Sequence, residues 1–460
     1  MNRQNHISPL DDPYQIALRY LYSFIDYEKL PGAAPKRMSL EKIETLVNLL
    51  GHPERQYPVV HITGTKGKGS TAAIISSILN QSGYRVGLYT SPHLVTLRER
   101  VRINGEPLPK VDLCRMVEAI RGSIDVMTRS SAGGPETFFD VWTALAFLYF
   151  AECKVDIAVI EVGMGGRVDS TNVVQPSVCV ITPIGLDHTD RLGHTIPEIA
   201  CEKAGIIKEG VSTVISPQEP EALTVIRETC DRNRSPLTQV GRDIRYTIKE
   251  SNTERQIVDV ESPHFSYRGL ELPLLGGYQA INAATAIGAA DCLRKQKIGV
   301  TDEGIVRGLK SVTWPGRLQV IGRRPWVILD GAHNPMAAKS LTQNIRNLFP
   351  YHQAILILSL QLDKAIEELC QEFSAWADII IVAGRRVMRR RQADPDQVAA
   401  LCAAHGRAVY TTPTVAEALA MANALAMEDD LICVSGSLTL VGEAMEVLQN
   451  LEPEETLSRL

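Results

Sequence analysis

Short β-branched, aliphatic runs alternate with longer amphipathic ones along most of this chain, and nothing else in the sequence limits its fold as strongly. "YPVVHITG", "YRVGLYTS", "VDIAVIEVG", "SVCVITPIG" and "VSTVIS" each have the length and apolarity of a strand buried on both faces, and each ends in Gly, Ser, Thr or Pro. Helical patterns lie between them, such as "STAAIISSILNQSG", which closes on Gly83. Such alternation predicts an α/β fold whose sheet is mostly parallel and covered by helices on both faces. From Ile248 to Leu275 the pattern becomes polar alternation, which predicts a small antiparallel patch, followed by the helix "QAINAATAIGAADCLRK". After "TWPGRLQVIG" the α/β alternation resumes with "WVILDGAHN", "QAILILS", "DIIIVAG", "AVYTT" and "DLICVSGS". The chain of 460 residues therefore divides into two α/β units, residues 1–312 and 313–460, with the boundary near Val312. No internal repeat interrupts this pattern.

Composition excludes several classes of function. A formal charge of −5 offers no basic face for nucleic acid and no bias toward a membrane surface. No apolar run reaches the ~18 residues of a membrane helix, and the N-terminal "MNRQNHISPLDDPYQ" has no apolar signal core. The nine cysteines are scattered and form no C-x-x-C pair, as expected of reduced thiols in a cytoplasmic protein.

The segment "HITGTKGKGST", residues 61–71, has the makings of a phosphate cradle with unusual spacing. The common loop, G-x-x-x-x-G-K-[ST], puts lysine directly before the hydroxyl, whereas here Gly69 separates Lys68 from Ser70, and Ile62 stands where the first glycine belongs. The physical requirements are still met. A strand runs into three glycines, a helix is expected to begin at Ser70 with its positive end toward the loop, and Lys68 can reach terminal phosphates. "EVGMGGRVD" is the rival nucleotide site, but its third glycine position is Val168 and no long helix follows, which disfavours a dehydrogenase.

Three polar residues stand at or just beyond strand ends, where parallel sheets place ligands: Ser91, Glu161 and His188. Hydroxyl, carboxylate and imidazole donors beside a phosphate loop suit Mg²⁺ or Mn²⁺ bound with a nucleotide. Lys203, in "IPEIACEKAGIIK", reads on its own as a solvated lysine on a helix. The basic run Arg385 to Arg391 reads as a solvated loop.

Taken together, "GTKGKGS", "TSPHL", "RERVRING", "TFFDVWTALAF", "EVGMGGRVDSTN", "ITPIGLDHTDRLGHTIPEIACEKAGIIK", "WPGRLQ", "DGAHNP" and "SGSLTLVGE" resemble folylpolyglutamate synthase and dihydrofolate synthase. These form the folate branch of the Mur ligase superfamily, and the resemblance runs collinearly from about residue 37 to 443. Only about 60 residues precede Gly64, too few for the UDP-binding domain of the cell-wall branch.

The resemblance implies a Mur-ligase-like, P-loop-containing first unit holding ATP and folate, and a smaller Rossmann-like second unit on the glutamate side of the cleft. It implies that Gly67, Lys68, Gly69 and Ser70 hold the ATP phosphates, with Asn282, Arg317 and Asp330 as further ATP contacts. Ser91, Glu161 and His188 would ligate Mg²⁺, with Ser70 near it. Lys203, as a carbamate, would help fix a second metal. Thr137, Phe138, Phe139 and Asp140, with Val168, Asp169 and Ser170, would line the pterin or dihydropteroate pocket. His333 would face the interdomain cleft on the glutamate side. The implied catalytic set is Lys68, His188, Lys203 and Arg317.

The implied reaction adds L-glutamate to a tetrahydrofolate through an acyl phosphate at the expense of ATP. "TFFD" and "VDS" lean toward dihydropteroate as a second acceptor. The implied partners are ATP, glutamate and the folate, with the protein acting as a monomer and without nucleic acid or membrane. Folylpolyglutamate synthesis alone and a non-catalytic folate- or nucleotide-binding protein are the alternatives. Four places depart from the family pattern: Tyr278 in G-x-H-Q, Ala365 in D-K-D, Thr439 at a common aromatic position, and the Arg385 to Arg391 loop.

Overall fold

The computed structural model describes residues 12–24, 39–130, 133–135, 137–362, 364–386 and 392–454. Residues 1–11 of the N-terminal reading, Asp363 and residues 387–391 of the arginine run lie outside the described residues.

The first apolar runs form an eight-stranded sheet in the order β4-β3-β2-β5-β1-β6-β7-β8. Its strands are β1 (Val59–Thr63), β2 (Val86–Tyr89), β3 (Val101–Ile103), β4 (Glu106–Pro107), β5 (Ile157–Glu161), β6 (Val178–Ile181), β7 (Ser212–Ile215) and β8 (Leu237–Gln239). From β2 to β8 all neighbours are parallel, and β3 and β4 add an antiparallel edge.

Period-two alternation sends side chains to opposite faces. Val60 and Ile62 enter a core with the helices Lys68–Gln81, Gly277–Lys295 and Asp302–Ser311. Val59, Ala158 and Ile160 enter another, with Pro13–Tyr22, Lys110–Arg129 and Phe138–Glu152. Burial on both faces explains why these strands read as unbroken apolar runs.

The polar stretch forms a three-stranded antiparallel sheet of β9 (Arg245–Ser251), β10 (Gln256–Glu261) and β11 (Ser266–Leu272). The later runs form a six-stranded sheet in the order β12-β13-β17-β14-β15-β16. Its members are β12 (Gln319–Arg323), β13 (Trp326–Leu329), β14 (Ala354–Leu358), β15 (Ile379–Ala383), β16 (Ala408–Thr412) and β17 (Leu431–Ser435). All pair in parallel except β12, which is antiparallel to β13.

Register sets where the ligand-bearing ends fall. Ile62 lies beside Glu161 and Thr63 beside Ile181, so the carboxyl ends of β1, β5 and β6 form one edge. A cleft of about 910 Å³ opens there, between that edge and the corresponding edge of the second sheet.

Candidate active site

The phosphate loop leaves β1 at Gly64, whose φ of 146° suits glycine. A Cβ at Gly64 would lie 1.9 Å from Thr182 Oγ1, so the loop presses directly on the residue that follows β6. Gly67, at φ 81°, ends the loop, and the helix starts at Lys68. That is two residues before the predicted start, because the left-handed glycine completes the turn by itself. Thr65 and Lys66 donate their N–H groups to the Pro183 carbonyl at 3.0 and 3.2 Å. Thr65 Oγ1 also donates to the Gly185 carbonyl at 3.0 Å. These bonds tie the loop to the segment that carries His188.

Ser70 is buried and accepts from Gln279 Nε2 at 3.4 Å, while Gln279 Oε1 accepts from Asn282 Nδ2 at 2.9 Å. Gln279, fully buried on the helix Gly277–Lys295, thereby joins two predicted ATP residues that no sequence argument connects. Its signal lay inside the Gly277-Tyr278-Gln279 motif, one residue past the departure at Tyr278.

Glu161, 4% exposed, accepts the Ser91 N–H at 3.1 Å. Burial pushes its carboxyl up to about 7, against the opposing pull of Lys68, the Ser91 N–H, Arg317 and Arg100. His188 is half-buried at φ 49° beside the cleft. Next to it, burial raises Asp187, but His188, His333, Lys364 and Lys68 outweigh that and hold its carboxyl below the usual range. Asp187, absent from the predicted set though it sits inside "GLDH", thus feels charges from both units.

Among the described residues no three His, Cys, Asp or Glu side chains gather as a metal cage. The donor chemistry nonetheless fits a hard cation shared with phosphate: one buried carboxylate, one imidazole and the Ser70 and Ser91 hydroxyls. Lys203 does not line the cleft. It lies beneath the loop, 4% exposed, and donates to the Gly64 carbonyl at 2.9 Å.

At the far end of the cleft, Thr137 caps the helix Phe138–Glu152 in a capping box with Asp140. Asp140 Oδ2 accepts from Thr137, and Oδ1 accepts from Ser170 Oγ at 2.7 Å. Asp169 accepts from Met164 N–H at 2.9 Å and from Thr171 Oγ1 at 2.6 Å. With the Thr171 proton so used, His61 Nε2 donates to Thr171 Oγ1 at 2.9 Å, and burial pushes this imidazole down to about 3. Thr137, Phe139, Asp140, Val168, Asp169 and Ser170 all line the cleft. Phe138 does not, contrary to the prediction. It is 1% exposed and stacks between Tyr22 and Trp142, because consecutive helical residues point about 100° apart and only one of the pair faces the cleft.

From the second unit come Arg317, Asp330 and His333. Asp330, held above the usual range by burial, accepts from Leu318 N–H and Ala332 N–H, each at 2.8 Å. His333 Nδ1 donates to the Gly331 carbonyl at 2.9 Å, which leaves Nε2 as an acceptor; burial, then Lys364, pushes its pKa down to about 4. Tyr278, Lys364, Ala365 and Thr439 also line the cleft, and Arg385 is buried outside its lining.

The chain matches the Mur ligase middle domain over residues 62–290. It matches the Mur ligase, glutamate ligase domain over residues 316–438. The dihydrofolate synthase/folylpolyglutamate synthase of Bacillus subtilis is 37% identical over 369 residues, covering 80% of this chain and 84% of that one. The chain belongs to the folylpolyglutamate and dihydrofolate synthases of the Mur ligase superfamily. Solved structures of these synthases share the whole architecture. The folylpolyglutamate synthase of Thermotoga maritima is 32% identical, with a TM-score of 0.83 over 96% of this chain and 98% of that one. The Mycobacterium tuberculosis folylpolyglutamate synthase complexed with ADP and AMPPCP is 30% identical, with a TM-score of 0.85 over 96% of this chain and all of that one (100%). As in every such ligase, the chemistry is carbon–nitrogen bond formation.

Proposed function

We propose that this protein uses ATP to join L-glutamate by an amide bond to the carboxyl group of a folate, and that dihydropteroate is a second acceptor in the same site. One observation carries the reading: the phosphate loop, the Glu161–His188 edge and the Asp140–Asp169 pocket open into one cleft whose opposite wall is the second unit. An acceptor with its heterocycle at Asp140 and Asp169 would extend its carboxylate along this cleft toward the loop.

The acceptor carboxylate attacks the γ-phosphorus, ADP leaves and an acyl phosphate forms. The glutamate amine then attacks the acyl carbon and phosphate departs. Phosphoryl transfer needs positioning and charge neutralisation. Backbone N–H groups of residues 67–70, Lys68 and Arg317 supply these here, while Asn282 and Asp330 hold the nucleoside end. Mg²⁺, or Mn²⁺ in its place, fits Glu161, His188, Ser91 and Ser70 and would supply further neutralisation of phosphate charge. Lys203 as a carbamate would offer oxygen donors to a second ion. His333, neutral near pH 7 with Nε2 open, is placed to accept a hydrogen bond from the incoming glutamate. The units 1–312 and 313–460 close on the acyl phosphate and exclude water. We infer that the enzyme acts in the cytoplasm, as its nine free cysteines suit, and as a monomer; none of the described helices is long and apolar enough to cross a membrane.

Incubation with ATP, Mg²⁺, labelled glutamate and either tetrahydrofolate or dihydropteroate, followed by product mass, tests the reading. One glutamyl addition to each acceptor is expected. Addition to tetrahydrofolate alone removes the second acceptor, and addition to neither removes the function.

A further inference from the structure

Gly69, the residue inserted between Lys68 and Ser70, faces the indole of Trp314. A Cβ at Gly69 would meet Trp314 Cζ2 at 3.0 Å and Nε1 at 3.2 Å. Trp314 belongs to the segment joining the two sheet-bearing units, three residues before Arg317. The Arg102 guanidinium also lies over this ring, 6.0 Å from its centroid, so the indole contacts both Arg102 and the first turn of the loop helix.

The rest of this segment is held equally closely. Gly316, at φ 72°, leaves room for Leu94 and Val441: a Cβ there would sit 3.3 and 3.2 Å from them. Its carbonyl accepts the Gly331 N–H at 3.0 Å. Leu318 N–H is bound by Asp330. Residues 314–318 therefore touch the phosphate loop at one end and the Asp330 turn at the other, with Arg317 lining the cleft between them.

We propose that Trp314 is a positioning residue that couples occupancy of the phosphate loop to the setting of the interdomain segment and, through it, to Arg317. The proposal rests on the reading of the loop as the ATP site. A close-packed contact transmits displacement because it has no slack to absorb it. Phosphate bound to the N–H groups of residues 67–70 draws the first helical turn onto itself, and the ring resting on Gly69 follows. The inserted glycine then has a physical reason: a side chain at residue 69 would part the loop from the segment that reports on it.

A double-mutant cycle on the full chain tests this, with ADP binding read by calorimetry. Gly69→Ala should weaken ADP about tenfold, since its methyl meets the ring. Trp314→Ala removes the whole indole, including the Cζ2, Nε1 and Cε2 atoms that the methyl would touch, so the Gly69→Ala/Trp314→Ala double variant should recover most of that loss. Trp314→Ala should lower kcat about tenfold while changing ADP affinity less than about threefold, a split that general destabilisation would not give. Additive losses in the cycle, or a Gly69→Ala protein that binds ADP like the wild type, overturn the coupling alone. A wild-type protein that binds no ADP overturns both the coupling and the nucleotide reading beneath it.

Discussion

Lys68 and Lys203 donate to the same oxygen, the Gly64 carbonyl, at 3.1 and 2.9 Å. Burial first, and then the charge of Lys68, pushes the Lys203 amine down from 10.5 to about 7, against the pull of Asp187 and Asp169. A folded-state value below the unfolded one means that holding Lys203 protonated costs stability. Below about pH 7 both states carry the proton and the cost is complete; between about 7 and 10.5 the unfolded chain binds more protons, so stability from this group rises with pH. Lys203→Met should therefore stabilise the free protein at neutral pH by about 1–2 kcal/mol while abolishing ligation. Its advantage should shrink toward about pH 10. Thermal melts of both proteins across that range check the sign, and a destabilised variant at neutral pH would refute it.

The same depressed value provides the neutral amine that carbamate formation requires. With ¹³C-labelled bicarbonate, the wild-type protein should show a carbamate carbon signal that grows as pH rises through about 7 and is missing from Lys203→Met. Added bicarbonate should restore no activity to Lys203→Ala. A wild-type spectrum without the signal, from a protein that turns over, would sink the carbamate.

Gln279 joins Ser70 to Asn282 without solvent contact, so Gln279→Leu would leave two buried polar groups unpaired at a cost of about 1–3 kcal/mol. Because both groups face the nucleotide site, the loss should fall on ATP: KM for ATP rises about tenfold, with KM for the folate unchanged. Steady-state kinetics with each substrate varied decides it, and equal rises for both would indicate general damage.

How much of this was legible beforehand depended on burial. β1, β5, β6, β13, β14, β15 and β17 stand out as apolar, β-branched runs, and the exposed edge strand β16 was legible from "AVYTT" by its β-branched residues alone, whereas β3, β4, β8 and β12 are edge or near-edge strands. "VRI", "EP", "LTQ" and "QVIGR" mix polarity because solvent or loops cover part of them, and so they lack a periodic signature. Strand ends pointed to Glu161 and His188, and the family resemblance to Asp330, yet neither reveals that Lys203 donates to a carbonyl beneath the loop. Asp187 and Gln279 escaped for a similar reason. Their importance lies in contacts between segments far apart in sequence: Asp187 with His333 and Lys364, Gln279 with Ser70.

The pair Phe138 and Phe139 separates fold from site within one dipeptide. Phe138 is sealed between Tyr22 and Trp142, with the Arg100 guanidinium 5.8 Å from its ring centroid. Phe139 is half-buried, lines the cleft, and its ring end fills the space a Cβ on Gly163 would need, 2.5 Å away. Phe138→Ala should cost about 3–5 kcal/mol of stability through the cavity it leaves, lowering activity only as far as it lowers the folded fraction. Phe139→Ala should cost much less stability but raise KM for the folate acceptor about tenfold or more, since an aromatic wall of the heterocycle pocket is lost. Denaturant melts and acceptor kinetics on the two variants measure both effects. The reverse pattern, with Phe138→Ala selectively raising the acceptor KM, would return Phe138 to the pocket and overturn its assignment to the core.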